Sequence, residues 1–136
     1  MMRVKTYVAP SKIEGLGLFA AEDIKKGTET WRYLPPADSR LSPAEVAKLD
    51  VLSQEFIKRY SGLSISTGKY IIYGDDTRFC NHSKEPNVAV ANVKHEDEFS
   101  SFALRDIKKG EELTIDYQTI DQNDAKNTNP ELYTKK

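Results

Sequence analysis

One nine-residue segment of this chain returns in closely similar form. Phe19-Ala20-Ala21-Glu22-Asp23-Ile24-Lys25-Lys26-Gly27 returns as Phe102-Ala103-Leu104-Arg105-Asp106-Ile107-Lys108-Lys109-Gly110, with seven of nine positions identical. Two copies are too few for a solenoid, whose units need at least about three to bury a common core. Each copy reads instead as a strand–turn–strand corner. Phe-Ala ends a strand, Ile packs inward, and Lys-Lys-Gly makes an exposed turn before the next strand.

The rest of the pattern agrees with short strands between Gly, Pro, Asp and Lys turns, expected near 3–9, 16–20, 28–33, 64–73, 87–94, 99–105 and 112–116. One helical segment is predicted, over 42–61. Ser42 is a good N-cap, Pro43 sits at N1 where its missing N–H costs nothing, and Glu45 at N3 completes a capping box. Val46, Leu49, Leu52, Phe56, Ile57 and Tyr60 recur at helical spacing, Asp50-Val51 is a candidate break, and Gly62 is placed to terminate. Leu34-Pro35-Pro36-Ala37-Asp38 reads as a rigid connector.

A chain of 136 residues fits one domain. Lys+Arg 20 against Asp+Glu 21 leaves a net charge of -1, so a general nucleic-acid footprint is not indicated. The single cysteine, Cys80, excludes an internal disulfide, and with His82 and His95 it is too small a set for a cysteine-rich zinc site, so no metal is expected. The N-terminal residues carry no apolar signal core and no window approaches a membrane span. These features together read as a soluble, intracellular, cytoplasmic protein.

Three constellations carry chemistry. Gly15 and Gly17 bracket Leu16 just before a strand; Gly is used where backbone must approach a ligand or take φ > 0. A third glycine and a following helix are missing, which rules out a dinucleotide fold. In the second, Arg78-Phe79-Cys80-Asn81-His82-Ser83, an amide and an imidazole stand against an apolar stretch, where buried polar groups need partners. Ser83 beside His82 is no hydrolase signature, since sequence neighbours do not meet as nucleophile and base by that fact and no Gly-x-Ser-x-Gly elbow exists. Cys80 is assigned to the core. The third is Gly110-Glu111-Glu112-Leu113-Thr114-Ile115-Asp116-Tyr117, which ends in an aromatic hydroxyl.

In this order, with Pro86-Asn87 after the second, these motifs resemble the signature of SET-domain protein-lysine methyltransferases, most closely the small stand-alone bacterial and viral type. The resemblance covers about residues 3–118. It implies a mainly β fold of small curved, β-clip-like sheets with a short helical insert and a C-terminal pseudoknot. A catalytic domain would span 1–118 and a polar tail 119–136. S-adenosylmethionine (SAM) is the implied cofactor. It would be held by Glu14, Leu16, Gly17, Arg78, Asn81, His82 and Tyr117, with Asn81 and His82 at the adenosine portion. The implied partner is a protein or peptide bearing lysine, with Tyr117 as the catalytic tyrosine and Tyr33 as a second aromatic of the lysine channel, core packing being its alternative. Departures from the family matter too. The zinc-binding cysteines that follow many SET domains are absent, so the tail is expected to close the channel differently or leave it open. Ile115 and Val90 stand where ring hydroxyls are common. The rival reading is a non-catalytic β-clip or SET-like module binding a small ligand or peptide, which has no need of Asn81-His82 together with Tyr117.

Overall fold

The computed structural model describes residues 1–122; the tail expected from 119 onward lies, from residue 123, outside the described residues. The chain begins with an antiparallel pair, β1 (Thr6–Pro10) and β2 (Leu16–Ala20). Leu18 and Ala20 of β2 point into the core, as the period of two requires. Tyr7 stands opposite Phe19 and the rings stack at 5.5 Å.

A three-stranded antiparallel sheet runs in the order β3 (Glu29–Trp31), β8 (Ser100–Ala103), β7 (Val88–Ala91). Two smaller pairs complete the β structure: β4 (Ser39–Leu41) with β5 (Tyr70–Ile72), antiparallel, and β6 (Asn81–His82) with β9 (Thr114–Ile115), parallel. Thus the second and third sequence motifs lie side by side, with Asn81 opposite Thr114 and His82 opposite Ile115.

The two repeated corners pair with each other. Ile24 and Ile107 exchange both backbone bonds at 2.8 Å, and each is buried. Gly27 N–H donates to Ala103 C=O as Gly110 N–H does to Ala20 C=O, both at 2.8 Å. Lys26 N–H donates to Asp106 Oδ1 as Lys109 N–H does to Asp23 Oδ1, both at 2.9 Å. Gly27 and Gly110 share the left-handed φ of their turns, +84° and +90°, which an L side chain rarely adopts. The repeat is therefore a local two-fold, and its four lysines are exposed.

The helical segment is two helices, α1 (Pro43–Ala47) and α2 (Val51–Tyr60). The capping box forms as expected, with Glu45 N–H donating to Ser42 Oγ at 3.1 Å and Ser42 N–H to Glu45 Oε1 at 3.0 Å. Asp50 breaks the helix because its carboxylate caps α2, accepting from Ser53 N–H at 2.9 Å. The break shifts the phase: Val46 and Ile57 are buried, whereas Leu49, Leu52 and Phe56 remain exposed. Helix α2 ends at Ser61 in extended conformation, one residue before Gly62.

Two further expectations shift. The strand expected over 64–73 shortens to Tyr70–Ile72, because Ser64 Oγ accepts from Ser66 and Thr67 N–H and folds the segment into a turn. The connector after Pro36 leads directly into β4, a strand made by its pairing with β5. The chain still packs beyond 118: Ile65 N–H donates to Ile120 C=O and Gln122 N–H to Leu63 C=O. Among the described residues no helix is long and apolar enough to cross a membrane.

Candidate active site

Between the sheets lies a cavity of about 310 Å³. Its outer rim carries Glu14, Leu16, Arg78 and Asn81, and its wall continues past Tyr117 to Trp31 and Phe99. Val90 and Ile120 pack against both hydrophobic clusters, the one around Leu18 and Tyr117 and the one around Trp31 and Phe99. The lining is mostly apolar, so charged groups inside would be desolvated.

The first two motifs meet through Asn81. Its Nδ2 donates to Glu14 C=O at 3.2 Å, Leu16 C=O at 3.1 Å and Glu112 Oε2 at 2.9 Å. The Asn81 side chain therefore stitches the glycine turn to β6. Arg78 is exposed at the rim, with its guanidinium over Phe79 at 4.9 Å and Tyr60 at 5.2 Å, which ties α2 to the cavity mouth.

Tyr117 is buried, and its hydroxyl reaches the Cys80 carbonyl at 2.6 Å. A carbonyl only accepts, so the tyrosine is the donor. The Tyr117 backbone N–H donates to His82 Nδ1 at 3.0 Å, so that nitrogen carries the lone pair. Asp116 Oδ1, 3.7 Å from the same nitrogen, is instead engaged as the cap of the following turn, accepting from Gln118 N–H. The parallel pairing of β6 and β9 thus sets Tyr117 from two sides. Cys80 lies beneath it, donating weakly to Leu113 C=O at 3.4 Å. Burial, and after it the Glu112 charge, pushes its thiol up to about 12.

Of the residues expected at the site, Glu14, Leu16, Arg78, Asn81 and Tyr117 line the cavity. Gly17, His82 and Tyr33 do not line it. Gly17 backs the rim against Glu112, and the His82 ring braces the Tyr117 backbone. Tyr33 packs against the Trp31 cluster, with the Arg40 guanidinium 4.2 Å over its ring and held there by Asp97.

Sequence reasoning missed the deep wall. Trp31 is 3% exposed, and its Nε1 is the one buried side-chain polar atom without a hydrogen-bond partner among the described residues. Tyr73 stands at 5.8 Å edge-on to it, its phenol pushed well above the ordinary value first of all by burial. Thr30 and Ser101 share a hydroxyl bond of 2.7 Å on the same wall. Only the rarity of tryptophan in the chain could have drawn attention to this end. Among the described residues no group of three or more His, Cys, Asp or Glu could hold a metal ion.

Residues 15–118 match the model of the SET domain. The chain belongs to the SET-domain family. Over 118 residues it is 35% identical to human histone-lysine N-methyltransferase 2D, covering 82% of this chain but 2% of that protein. It is 32% identical to the H3 lysine-36 specific histone-lysine N-methyltransferase of Saccharomyces cerevisiae, covering 79% of this chain and 15% of that one. The SET domain here thus spans a small part of the curated relatives it matches. Among solved structures, a Chaetomium thermophilum Polycomb Repressive Complex 2 bound to S-adenosylmethionine shares 27% identity and a TM-score of 0.64, over 90% of this chain and 16% of that one. A Plasmodium falciparum crystal structure, 22% identical with a TM-score of 0.60, covers 85% of this chain and 95% of its own; it speaks to the fold alone.

Proposed function

We propose that this SET domain transfers a methyl group from S-adenosylmethionine to the side-chain amine of a protein lysine. The observation that carries the reading is the Tyr117 hydroxyl, oriented by the Cys80 carbonyl and set in the wall of an apolar cavity whose rim is built from the glycine turn and Asn81. The residues present suit the cofactor. A cation and aromatic faces at Arg78, Tyr60 and Phe79 and backbone carbonyls at Glu14 and Leu16 can meet a molecule with a flat base, a carboxylate and an ammonium. The unpartnered Trp31 N–H is a donor in the same wall.

When bound, S-adenosylmethionine supplies a methyl group on a sulfonium, open to in-line displacement by an amine. Glu14, Leu16, Arg78 and Asn81 would hold it, with Gly17 allowing the rim its close packing. A lysine amine must be neutral to attack, which at pH 7 costs about 4.6 kcal/mol from an ordinary pKa near 10.4. The apolar lining of Val90, Phe99 and Ile115 lowers that cost by disfavouring the ammonium. With its proton engaged by Cys80, Tyr117 offers its oxygen only as an acceptor, so it orients an amine N–H and need not act as a strong base. His82 contributes by holding the Tyr117 backbone in place.

Because the relatives it resembles are histone-lysine N-methyltransferases, a basic histone-type tail is the first substrate to try. The test is incubation with methyl-labelled S-adenosylmethionine and either histones or a cell lysate, followed by hydrolysis of the labelled band. Methyl-lysine is expected, at a rate that climbs from pH 7 towards pH 9 as the amine deprotonates. Label in another residue, or none in any protein, would refute the reading.

A further inference from the structure

None of the four lysines in the repeated corners serves the cavity. Lys25, Lys26, Lys108 and Lys109 are all exposed, and none of them lines it. Among the described residues their side chains form no ion pair or hydrogen bond, whereas Arg32, Arg40 and Arg105 are each paired with a carboxylate.

The two-fold gathers these lysines. Ile24 and Ile107 pair at its centre and point inward, so the residues on either side of each point outward. Lys26 and Lys109 each precede the left-handed glycine of a turn, one closed from Thr28 N–H to Lys25 C=O and the other from Glu111 N–H to Lys108 C=O. Asp23 and Asp106 stand among the lysines, but each spends Oδ1 on a backbone N–H of the opposite turn. The Asp106 carboxylate is held below the ordinary range first by the Lys26 N–H that it accepts, and the charges of Lys25, Lys108 and Lys26 act in the same direction. Lysines of both corners thus surround one point. Of the other carboxylates in the corners, Glu111 is paired with Arg105 at 2.8 Å and Glu22 lies against exposed Lys5, whose N–H it accepts at 3.1 Å. The face is therefore positive on a chain whose net charge is -1.

The chemistry of the face selects its partner. The N–H groups of Lys26 and Lys109 are already engaged, and a lysine is a point charge without the planar fork that reads one acceptor bidentately. Such a surface attracts a uniform, repeated negative charge and not one shaped group. Rows of phosphates meet that requirement. A two-fold that presents the same basic turn twice also suits a duplex, whose two strands are related by dyads.

We propose that the paired corners are a docking surface for the phosphate backbone of a nucleic-acid duplex, held without reading its sequence. Its role rests on the reading of the cavity as a lysine-methylating site. None of the four lysines lines the cavity, so both can be occupied together, and the duplex tethers the enzyme beside lysine-bearing proteins bound to it.

The test is fluorescence anisotropy with a labelled, mixed-sequence duplex. With all four lysines on phosphates, affinity is expected to fall on the order of a hundredfold between about 50 and 200 mM salt. The joint variant Lys25→Gln, Lys26→Gln, Lys108→Gln, Lys109→Gln is expected to lose most of the binding and most of that salt dependence. Removing the same charge elsewhere, in Lys48→Gln, Lys58→Gln, Lys69→Gln, Lys94→Gln, is expected to change affinity less than about threefold, since exposed charges beyond a Debye length are screened. Equal effects of the two sets, or no salt-dependent binding, overturn the proposal. Binding to polyglutamate, or to vesicles of phosphatidylserine and phosphatidylcholine, as tight as to the duplex overturns its assignment to nucleic acid.

Activity keeps this surface separate from the methyl-transfer reading. On a free lysine peptide the corner variant is expected to match the wild-type rate; on the same peptide attached to a duplex it is expected to lose the gain that the wild type shows. Methylation without duplex binding sinks the surface and leaves the reading of the cavity intact. Duplex binding by a protein that methylates nothing upholds the surface and sinks the tethering role.

Discussion

At the Tyr117 hydroxyl, the bond of 2.6 Å to the Cys80 carbonyl decides where its proton goes. Removing only that oxygen, in Tyr117→Phe, is expected to lower turnover on the order of a hundredfold, the scale found for one oriented polar group in a closed site. Affinity for S-adenosylmethionine should be nearly retained, because the ring keeps its packing. Turnover that stays near wild type would remove the hydroxyl from the mechanism. Cys80, which supplies the carbonyl, makes a second residue-scale prediction. Burial disfavours the thiolate and pushes this thiol up to about 12. Iodoacetamide at pH 8 should therefore label the native protein far more slowly than the same protein in urea. Equal rates would mean that the sulfur is open to solvent.

Helices α1 and α2 are short, so their ends matter more than their propensities. Ser42→Ala removes the side-chain half of the capping box and is expected to cost about 1 kcal/mol in urea unfolding. The Glu45 carboxylate, first by the Ser42 N–H it accepts, and the Asp50 carboxylate, first by the Ser53 N–H, are held below the ordinary range. A depressed carboxylate pKa gives stability that is present above the unfolded value and lost as pH falls through the folded one. Acidification below the usual carboxylate range should therefore loosen the insert, seen as falling helical circular dichroism. Helical signal that stays constant through that range would show that these caps do not hold the insert.

The local two-fold joins distant parts of the molecule, because each corner completes the hydrogen bonds of the other across more than eighty residues of chain. Ile24 and Ile107 lie at its centre, 3% and 1% exposed. Each single change to Ala is expected to cost about 2–5 kcal/mol. Since the two side chains share one contact region, the double variant should lose less than the sum. Strict additivity would show that the corners are stabilised independently. The same packing brings the third motif to the first: Leu113 N–H donates to Leu18 C=O at 2.7 Å, and this sets Glu112 beneath Gly17.

What the sequence determined by itself is what short-range chemistry dictates. The capping box at Ser42, the candidate break at Asp50 and the left-handed turns at Gly27 and Gly110 each depend on atoms within a few residues, so they are written in local residue types. The SET-domain motifs were legible for a related reason, since their spacing carries the resemblance even where their geometry is hidden. Tertiary structure alone decided the rest. Nothing local in Ser39–Leu41 marks a strand, because it becomes one only by pairing with Tyr70–Ile72. Two-residue parallel pairing at Asn81–His82 and Thr114–Ile115 has no turn to announce it, since parallel neighbours are joined through long connections. Tyr33 was named for its place after the first corner, but the guanidinium of Arg40 and the cluster of Trp31 determine where its ring lies. Asn81 was read as a ligand contact, while its amide nitrogen is bonded to Glu112, thirty-one residues away. Burial and pairing across such distances depend on the whole packed body, and no window of sequence contains them.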